Sequence, residues 1–378
     1  MAGIYIHIPF CKQKCHYCNF FSTASRKHYG AFVKALLREI EHRHPYLHGQ
    51  EINTIYFGGG TPSLLQQADF TTIQQALQNT FNISKEAEIT FEANPDDVNV
   101  HFLDDLKTTF VNRLSMGVQS FFSDDLHYLN RVHDGQQALS AIKLAQEAGY
   151  ERMTIDLIYG IPTLTEEKWK ANLDAFFETG LTHLSAYALT VEPRTALAQL
   201  IDKGKYTPVD EVQSTRHFEI LLQKMEERGF VHYEISNFAL PGHYSRHNST
   251  YWLGGHYLGL GPSAHSFNGY SREWNVSNLA QYVQNSVSNT CVEEKEVLTL
   301  TQRVNEYIMT SLRTSWGCDL EHVGNVFGLA YADYLLQAAE VYVVKGQLYI
   351  KEGRLFLTNQ GKLFADGIAA NLFLETPL

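Results

Sequence analysis

The chain has 378 residues, 44% of them hydrophobic, which is enough for one large domain and a smaller one, each with its own core. Its 30 basic and 41 acidic residues give a formal charge of -11, which argues against a nucleic-acid or anionic-lipid surface as its main function. No stretch reaches about 18 apolar residues without a charge, so no membrane-spanning segment is expected.

The chain opens with a strand-like run, IYIHI, that leads into three closely spaced cysteines. Cys11, Cys15 and Cys18 have the spacing C-x3-C-x2-C, and no fourth cysteine lies nearby. A structural zinc ion or a closed iron–sulfur cluster uses four protein ligands. Three thiolates therefore predict a cubane 4Fe-4S cluster with one iron left open to bind a substrate.

Two other interpretations of these cysteines remain open. A disulfide with a spare thiol needs an oxidising compartment, but the chain shows no apolar leader, and Cys291 and Cys318 are far apart and isolated. We therefore expect free thiols and a cytoplasmic protein. A zinc site completed by His7 or His16 is the second alternative, although His16 inside the loop would crowd its neighbours.

Strands and helices alternate through the first half of the chain. Six short apolar or β-branched runs predict strands at residues 4–8, 54–57, 88–92, 113–119, 154–158 and 183–188. Helix-period stretches between them lie at residues 29–44, 70–81, 136–147 and 166–179. This alternation predicts an α/β fold with parallel strands joined by right-handed crossovers. Six strands are too few to close an eight-stranded barrel, so we expect a partial β/α barrel that is open on one side.

Polar and glycine residues follow the predicted strands, where the chemistry of such barrels gathers. A glycine run, Gly58 to Gly60 with Thr61, follows the second strand and would let a ligand approach the backbone. Further candidates at the ends of the third, fourth and fifth strands are Glu92, Asn94, Gln119 and Asp156. Each alone is typical of a loop cap, but their shared position favours one site.

Six motifs make the chain similar to the radical S-adenosylmethionine (SAM) proteins of the oxygen-independent coproporphyrinogen oxidase group. They are IYIHIPFCKQKCHYC, YFGGGTPSLL, TFEANPD, RLSMGVQSF, LNRVHD and DLIYGIP. The resemblance implies that the open iron chelates the amine and carboxylate of SAM. The positions that it implies for SAM contact are Tyr5, Gly59, Gly60, Thr61, Glu92, Gln119, Arg131 and Asp156, with Ala188 in the weaker match LSAYALTVEP.

Two features distinguish members of this group. The oxidases carry a further cysteine two residues after the third one, and Phe20 stands at that position here. The run HNSTYW, residues 247–252, matches the H-N-x-x-Y-W motif of the related HemW-type haem chaperones. The resemblance therefore favours the chaperone branch and implies haem binding by His247, Asn248, Tyr251 and Trp252.

Physical chemistry supports this assignment of the motif. Neutral imidazole is a common ligand of haem iron, and aromatic rings offer a flat apolar surface to a porphyrin. Residues 242–267 also contain His243, His256 and His265, but His247 begins the motif and is the predicted ligand. Whether Asn248 orients the imidazole or caps a turn stays open.

The end of the chain predicts a small separate domain. After a loop-rich stretch, helical patterns occupy residues 297–312, 320–327 and 331–342, a hairpin pairs 348–351 with 355–357, and a last helix begins near Asn359. This order resembles a winged helix, but residues 291–378 hold seven basic and eleven acidic residues, so nucleic-acid binding is not expected. The predicted domains are a radical SAM core at 1–235, a loop-rich connecting segment with the H-N-x-x-Y-W motif at 236–290, and a HemN-like C-terminal domain at 291–378.

Three hypotheses of function follow. The first is a haem chaperone that delivers haem to membrane-associated respiratory acceptors, with a cluster and SAM; a haem-storing donor, peripheral membrane contact and a homodimer stay open. The second is a coproporphyrinogen III dehydrogenase that decarboxylates porphyrinogen propionates, which Phe20 counts against. The third is a zinc-stabilised regulatory module, which the SAM-contact residues count against.

Overall fold

A curved sheet with helices packed on its outer face forms the larger part of the molecule, as a computed structural model of residues 2–377 shows. Its first six strands are β1 (Ala2–Ile8), β2 (Ile52–Gly59), β3 (Ile83–Ala93), β4 (Arg113–Gln119), β5 (Met153–Tyr159) and β6 (His183–Ala188). The helices in this region are α1 (Tyr29–Arg43), α2 (Gln67–Thr80), α3 (Val100–Lys107), α4 (Ser123–Tyr128), α5 (Gly135–Glu147), α6 (Glu166–Glu178), α7 (Ala196–Asp202) and α8 (Glu211–Glu227). Short 3-10 turns lie at His44–Leu47, Pro62–Leu64 and Pro95–Asp97. All six predicted strands are confirmed.

The remaining strands of this sheet come from the middle of the chain. They are β7 (Val231–Glu234), β8 (Asn237–Ala239), β9 (His256–Leu260), β10 (His265–Phe267), β11 (Ser271–Asn275) and β12 (Val292–Val297), with helices α9 (Arg246–Trp252) and α10 (Leu279–Asn285) among them. The expectation of a loop-rich segment at 236–290 is therefore wrong. Short runs rich in Gly, His and Asn resemble loops, but here they add strands to an existing sheet, which sequence periodicity does not reveal.

The strand order is β12-β11-β10-β9-β1-β2-β3-β4-β5-β6-β8-β7. Strands β9 and β1 to β6 are mutually parallel, so the parallel part has seven strands rather than the six expected. The strands at both ends are antiparallel. Among residues 2–377 the pairing does not return from β7 to β12, so the barrel is partial and open, as predicted.

Side chains alternate between the two faces of each parallel strand. In β1 the isoleucines Ile4, Ile6 and Ile8 are fully buried in the main hydrophobic core. The alternate positions of the neighbouring strands carry polar groups such as Thr54, Glu92 and Asp156. Burial of the apolar face thus stabilises the barrel, and the polar face lines the interior of the barrel.

A second hydrophobic core lies in the last part of the chain and is built from buried residues between Val304 and Leu374. The helices there are α11 (Leu300–Leu312), α12 (Leu320–Val326), α13 (Leu329–Val344), α14 (Asn359–Lys362) and α15 (Ala365–Asn371). A small antiparallel sheet combines β13 (Cys318–Asp319), β14 (Leu348–Lys351) and β15 (Arg354–Leu357) in the order β13-β15-β14. The predicted helices and hairpin are confirmed. No helix among the described residues has the length and apolarity needed to cross a bilayer.

Candidate functional site

One cavity of about 440 Å³ occupies the interior of the barrel and opens where the parallel strands end. The predicted cluster and SAM residues that line it are Cys11, Cys15, Cys18, Gly59, Gly60, Thr61, Glu92, Gln119, Arg131, Asp156 and Ala188. These residues are spread over 178 positions of sequence, from 11 to 188, so only the fold brings them together. Its volume lies within the range of roughly 300–1,000 Å³ that is typical of small-molecule sites.

The loop that carries the three cysteines is held in place from several directions. The backbone N-H of Cys11 donates to the carbonyl of Thr23 at 3.0 Å. Lys12 forms ion pairs with Asp96 and Asp97, which follow β3. The amide of Gln13 donates to the side chain of Asn130 at 2.8 Å, beyond β4. The segments that follow β3 and β4 thus hold the cysteine loop over the cavity.

The cysteine thiols are free and half-buried, and they face one cavity. Among residues 2–377, no three Cys, His, Asp or Glu side chains converge as ligands of a single ion. Thiolates that bind different iron atoms of one cluster stand farther apart than ligands of one ion. Burial raises the pKa of Cys18 to about 11, so a positively charged partner is needed to stabilise thiolates here. The donor set fits an iron–sulfur cluster better than a single zinc ion.

Neither histidine of the alternative zinc site lines the cavity. The ring of His16 contacts the carbonyl of Tyr128 through Nδ1 at 3.2 Å and packs edge-on against Tyr206. His7 is buried, with Nδ1 3.1 Å from the Tyr5 hydroxyl and Nε2 2.8 Å from the carbonyl of Phe21. Both rings are committed to contacts away from the thiols.

The glycine run after β2 brings the backbone close to its surroundings. Gly59 has φ +105°, and a Cβ atom there would lie 2.4 Å from the His7 ring. A Cβ atom on Gly60 would lie 2.6 Å from the carbonyl oxygen of Phe10, and its N-H donates to Ile8 at 2.8 Å. Any other residue would push the cysteine loop away from the strand.

Two carboxylates lie in the wall of the cavity. Glu92 accepts hydrogen bonds from the Tyr56 hydroxyl at 2.7 Å and from the Gly59 N-H at 3.2 Å. Burial raises the pKa of Glu92 to about 7, although the Tyr56 hydrogen bond lowers it. Burial likewise raises the pKa of Asp156 to about 6 against the contribution of Ser185. Two carboxylates desolvated in this way are poised to bind a cationic ligand.

Arg131 connects the cysteine loop to the strands. Its Nη1 atom donates to the Cys15 sulfur at 3.3 Å, and Nη2 donates to the Asn94 side chain and the Gly117 carbonyl, both at 2.7 Å. Asn94 in turn donates to the Thr61 hydroxyl at 3.2 Å. The guanidinium therefore orients three segments of the cavity wall and supplies a positive charge beside a thiol.

Several lining residues were not predicted from the sequence as site residues. They are Tyr56, Arg113, Ser115, Thr154, Ser185 and Tyr187. All but Tyr56 lie two positions from another lining residue of the same strand, in the series 113–115–117–119, 154–156–158 and 185–187. The period-two placement of polar residues in otherwise apolar strands is the signal that would have found them.

Gln119 has an unusual backbone for a non-glycine residue. Its φ is +68°, in the left-handed region, at the last position of β4. Such strain costs free energy and recurs at ligand sites, where it directs a side chain or carbonyl. Gln119 lines the main cavity, and its contact with SAM stays a prediction.

His247 lies on the barrel interior near the amino ends of the strands. It is 1% exposed, and its ring stacks on Tyr56 with centroids 5.0 Å apart. Nδ1 is 2.9 Å from the Thr54 hydroxyl, and Nε2 is 2.8 Å from the Tyr251 hydroxyl. Its backbone N-H donates to Glu88 at 3.0 Å. Burial lowers the pKa of His247 to about 3, so the ring is neutral, but both nitrogens have partners.

The other three residues of the motif point to different places. Asn248 lines the main cavity, whereas Tyr251 lines a second cavity of about 400 Å³. Trp252 packs under the guanidinium of Arg313, 5.2 Å from the ring centroid. Tyr5, a predicted SAM contact, lines the second cavity rather than the main one. The side chains of the motif thus contact the barrel interior, both cavities and the C-terminal part of the chain.

Two family models match parts of the chain, one in each hydrophobic core. Residues 5–176 match the radical SAM superfamily, and residues 298–364 match the HemN C-terminal domain. The solved coproporphyrinogen III oxidase (HemN) from Escherichia coli, a radical SAM enzyme, has a similar fold, with a TM-score of 0.86 over 99% of this chain and 90% of that one, at 25% identity.

Proteins named heme chaperone HemW are similar over most of the sequence. The Bacillus subtilis protein is 31% identical over 97% of this chain and 98% of its own length. The Mycobacterium tuberculosis protein is 32% identical over 98% of this chain and 94% of its own length. The Escherichia coli protein is 38% identical over 70% of this chain and 69% of its own length. The likeness extends through both cores.

Proposed function

Because the chain belongs to the HemW family of radical SAM proteins, we propose that it is a haem chaperone that binds haem and passes it to respiratory-chain proteins. The observation that carries this proposal is the likeness to proteins named haem chaperones over nearly the full length of both chains. Transfer to a respiratory acceptor goes further than that likeness and needs its own test.

The residues that line the main cavity are consistent with the proposal that a 4Fe-4S cluster and SAM are resident cofactors. Cys11, Cys15 and Cys18 would hold the cluster, since they face one cavity without a fourth thiol. When bound, the cluster supplies an open iron for the amine and carboxylate of SAM. Arg131 offsets the negative charge of the thiolates through Cys15.

Further residues of the cavity would bind and orient SAM. The backbone at Gly59, Gly60 and Thr61 offers polar groups within reach of its methionine end. Glu92 and Asp156 would attract its positive charge, because both become anionic near neutral pH. Gln119 and Ala188 line the wall of the same cavity.

The prediction that His247 ligates haem iron stays a prediction. Its neutral ring is the required chemical form, and its motif neighbour Tyr251 lines an aromatic cavity. Both ring nitrogens are hydrogen-bonded, however, so ligation would need the Tyr251 hydroxyl to move away.

The biological setting belongs to the same proposal. A cytoplasmic location is supported by five free cysteines, two of them buried in the cores. We also propose domains at 1–235, 236–290 and 291–378, which the separate core from Val304 onward supports. The acceptors would be membrane-associated, and a haem-storing donor, peripheral membrane contact and a homodimer complete the hypothesis.

A second candidate function is radical SAM coproporphyrinogen III dehydrogenation. Two observations favour it: the similar fold of the coproporphyrinogen III oxidase, and a cavity lined by the three cysteines and the predicted SAM contacts. Phe20 stands where those oxidases carry a further cysteine, and it is 62% exposed at the cavity mouth. We therefore expect no dehydrogenase activity from this chain.

One sample separates the two candidates. The protein is reconstituted anaerobically with iron and sulfide, titrated with haem, and assayed with coproporphyrinogen III. Stoichiometric haem uptake, with release to membranes that contain haem-free respiratory proteins and no porphyrinogen turnover, is the expected result. Porphyrinogen turnover without haem uptake would select the dehydrogenase.

A further inference from the structure

The outer face of α13 is largely apolar, although it is exposed. The sixteen residues of this helix, LAYADYLLQAAEVYVV, include two charged side chains, Asp333 and Glu340, and no basic one. On the inner face, Tyr331, Leu335 and Ala339 are buried in the second hydrophobic core. A helix at the surface of a domain has a polar outer side, whereas a helix that is apolar all round is covered on every side. The composition of α13 therefore indicates a partner on its outer face.

The exposed residues of this face form one regular row. Leu329, Asp333, Leu336, Glu340 and Val344 follow one another at spacings of four, three, four and four residues, which places them on one side of the helix. The three aliphatic side chains are 76%, 46% and 83% exposed, and both acidic residues are exposed. Apolar and acidic side chains thus alternate along the helix. We call these five residues the outer row of α13.

The two carboxylates of the outer row have no cationic partner among residues 2–377. The ion pairs that involve residues 300–377 are Arg272–Glu306, Arg313–Asp366 and Arg354–Asp319. Lys345, the first residue after α13, holds its amine over the Tyr342 ring, 5.6 Å from the centroid. The negative charges of Asp333 and Glu340 are therefore available to a partner of opposite charge.

An amphipathic helix that carries Lys or Arg complements the outer row. Its apolar side chains would pack against Leu329, Leu336 and Val344, and its cations would lie beside the two carboxylates. An anionic lipid surface does not complement the row, because its headgroups have the same sign of charge as the carboxylates. A second copy of α13 does not complement it either, since two outer rows would bring carboxylates together.

On the premise of the proposed function, we infer that the outer row of α13 docks a basic amphipathic helix of the haem acceptor. The cytoplasmic segments of membrane proteins carry an excess of Lys and Arg close to their membrane-spanning helices, so a membrane-associated acceptor presents segments of this charge. The residues that line the main cavity all precede residue 249, so a partner on α13 leaves that lining uncovered by direct contact with the outer row. The C-terminal part thus recognises the acceptor, and the barrel holds the cofactors.

Fluorescence anisotropy with two labelled peptides tests the docking without haem. Each peptide is a helix of about 18 residues in which Leu and a charged residue alternate along one face. The charged residue is Lys in one peptide and Glu in the other. Wild type should bind the Lys peptide in the micromolar range and the Glu peptide at least about tenfold more weakly. The double variant Asp333→Asn, Glu340→Gln should bind the Lys peptide about tenfold more weakly, and Leu336→Ser about fivefold more weakly.

Val212→Ser is the matched control variant. It removes an aliphatic side chain that is 78% exposed on α8 of the barrel, and it should bind both peptides as wild type does. Equal wild-type affinities for the two peptides, or unchanged titrations in both outer-row variants, would overturn the proposal. Leu336→Ser that loses binding to phosphatidylglycerol vesicles, or that dissociates a wild-type dimer in sedimentation, would also overturn it, in favour of a lipid surface or a second copy.

Haem transfer distinguishes this proposal from the proposed function. The full, anaerobically reconstituted protein is loaded with haem and mixed with membranes that contain haem-free respiratory proteins. The double variant should take up haem as wild type does and transfer it at least about fivefold more slowly. Equal transfer rates would overturn the acceptor as the partner of α13. Wild-type protein that takes up no haem would refute the proposed function, whereas the peptide titration, which needs no haem, would still decide the docking surface.

Discussion

Replacing His247 by Ala tests whether the first ring of the H-N-x-x-Y-W motif is a buried structural contact. The ring packs on Tyr56 and bridges the hydroxyls of Thr54 and Tyr251. Thr54 is fully buried, so its hydroxyl would lose its partner without gaining water. The variant thus removes packing and two hydrogen bonds at once.

The expected destabilisation is about 3–5 kcal/mol, since two net hydrogen bonds, an orphaned hydroxyl and lost ring packing each contribute roughly 1 kcal/mol or more. His243→Ala is the matched control from the same segment, because His243 is exposed and its ring has one hydrogen-bond partner, the Thr182 hydroxyl at 3.0 Å. It should cost less than about 1 kcal/mol. Urea unfolding followed by circular dichroism measures both. Equal, small effects would show that the ring is not in this buried network.

The free energy of unfolding of wild type and that of His247→Ala should depend differently on pH. Because burial lowers the pKa of His247 to about 3, below the unfolded value, the unfolded chain binds more protons at mildly acidic pH. Wild type therefore loses about 2 kcal/mol at this site between pH 7 and pH 5, and His247→Ala does not. Other buried histidines contribute equally to both proteins, so the difference between their unfolding curves isolates His247. Parallel curves would contradict the assigned burial.

Three further substitutions test the main cavity. Cys15→Ala should abolish the brown anaerobic chromophore, and iron and sulfide analysis checks it; full cluster content would contradict the ligand set. Glu92→Gln should weaken SAM binding by more than about 1 kcal/mol while the cluster stays intact. The wild-type affinity for SAM should rise as the pH increases through about 7, and this rise should be absent from the variant. An unchanged calorimetric titration would place SAM elsewhere. Arg131→Ala should lower SAM affinity and speed loss of the cluster in air, because the guanidinium joins Cys15 to Asn94 and Gly117; wild-type decay of absorbance would refute this role.

The strands of the barrel could be predicted because each is a local apolar run with a clear end. Residues 113–119 were predicted as a strand with the bounds that the structure shows. The cysteine site was also local, since the missing fourth thiolate is visible within eight residues, 11–18. Local patterns thus identified the barrel and the residues at its carboxyl end.

The segment from β7 to β12 could not be predicted in the same way. Strands such as β10, His265–Phe267, have three residues and depend on partners that are distant in sequence. The environment of His247 was hidden for the same reason, because Thr54 lies 193 positions away. The motif singled out the His247 ring, but the burial of that ring depends on contacts that only the folded chain creates.

The central claim is that the three cysteines and the SAM-contact residues act as one site, and electron paramagnetic resonance of the reduced, anaerobic protein tests it most directly. The account predicts a cluster signal in wild type that changes when SAM is added, because a cluster held by the three cysteines would adjoin the same cavity that Glu92 and Asp156 line. A signal that persists after all three cysteines are replaced by Ala, or a wild-type signal that SAM leaves unchanged, would contradict the account.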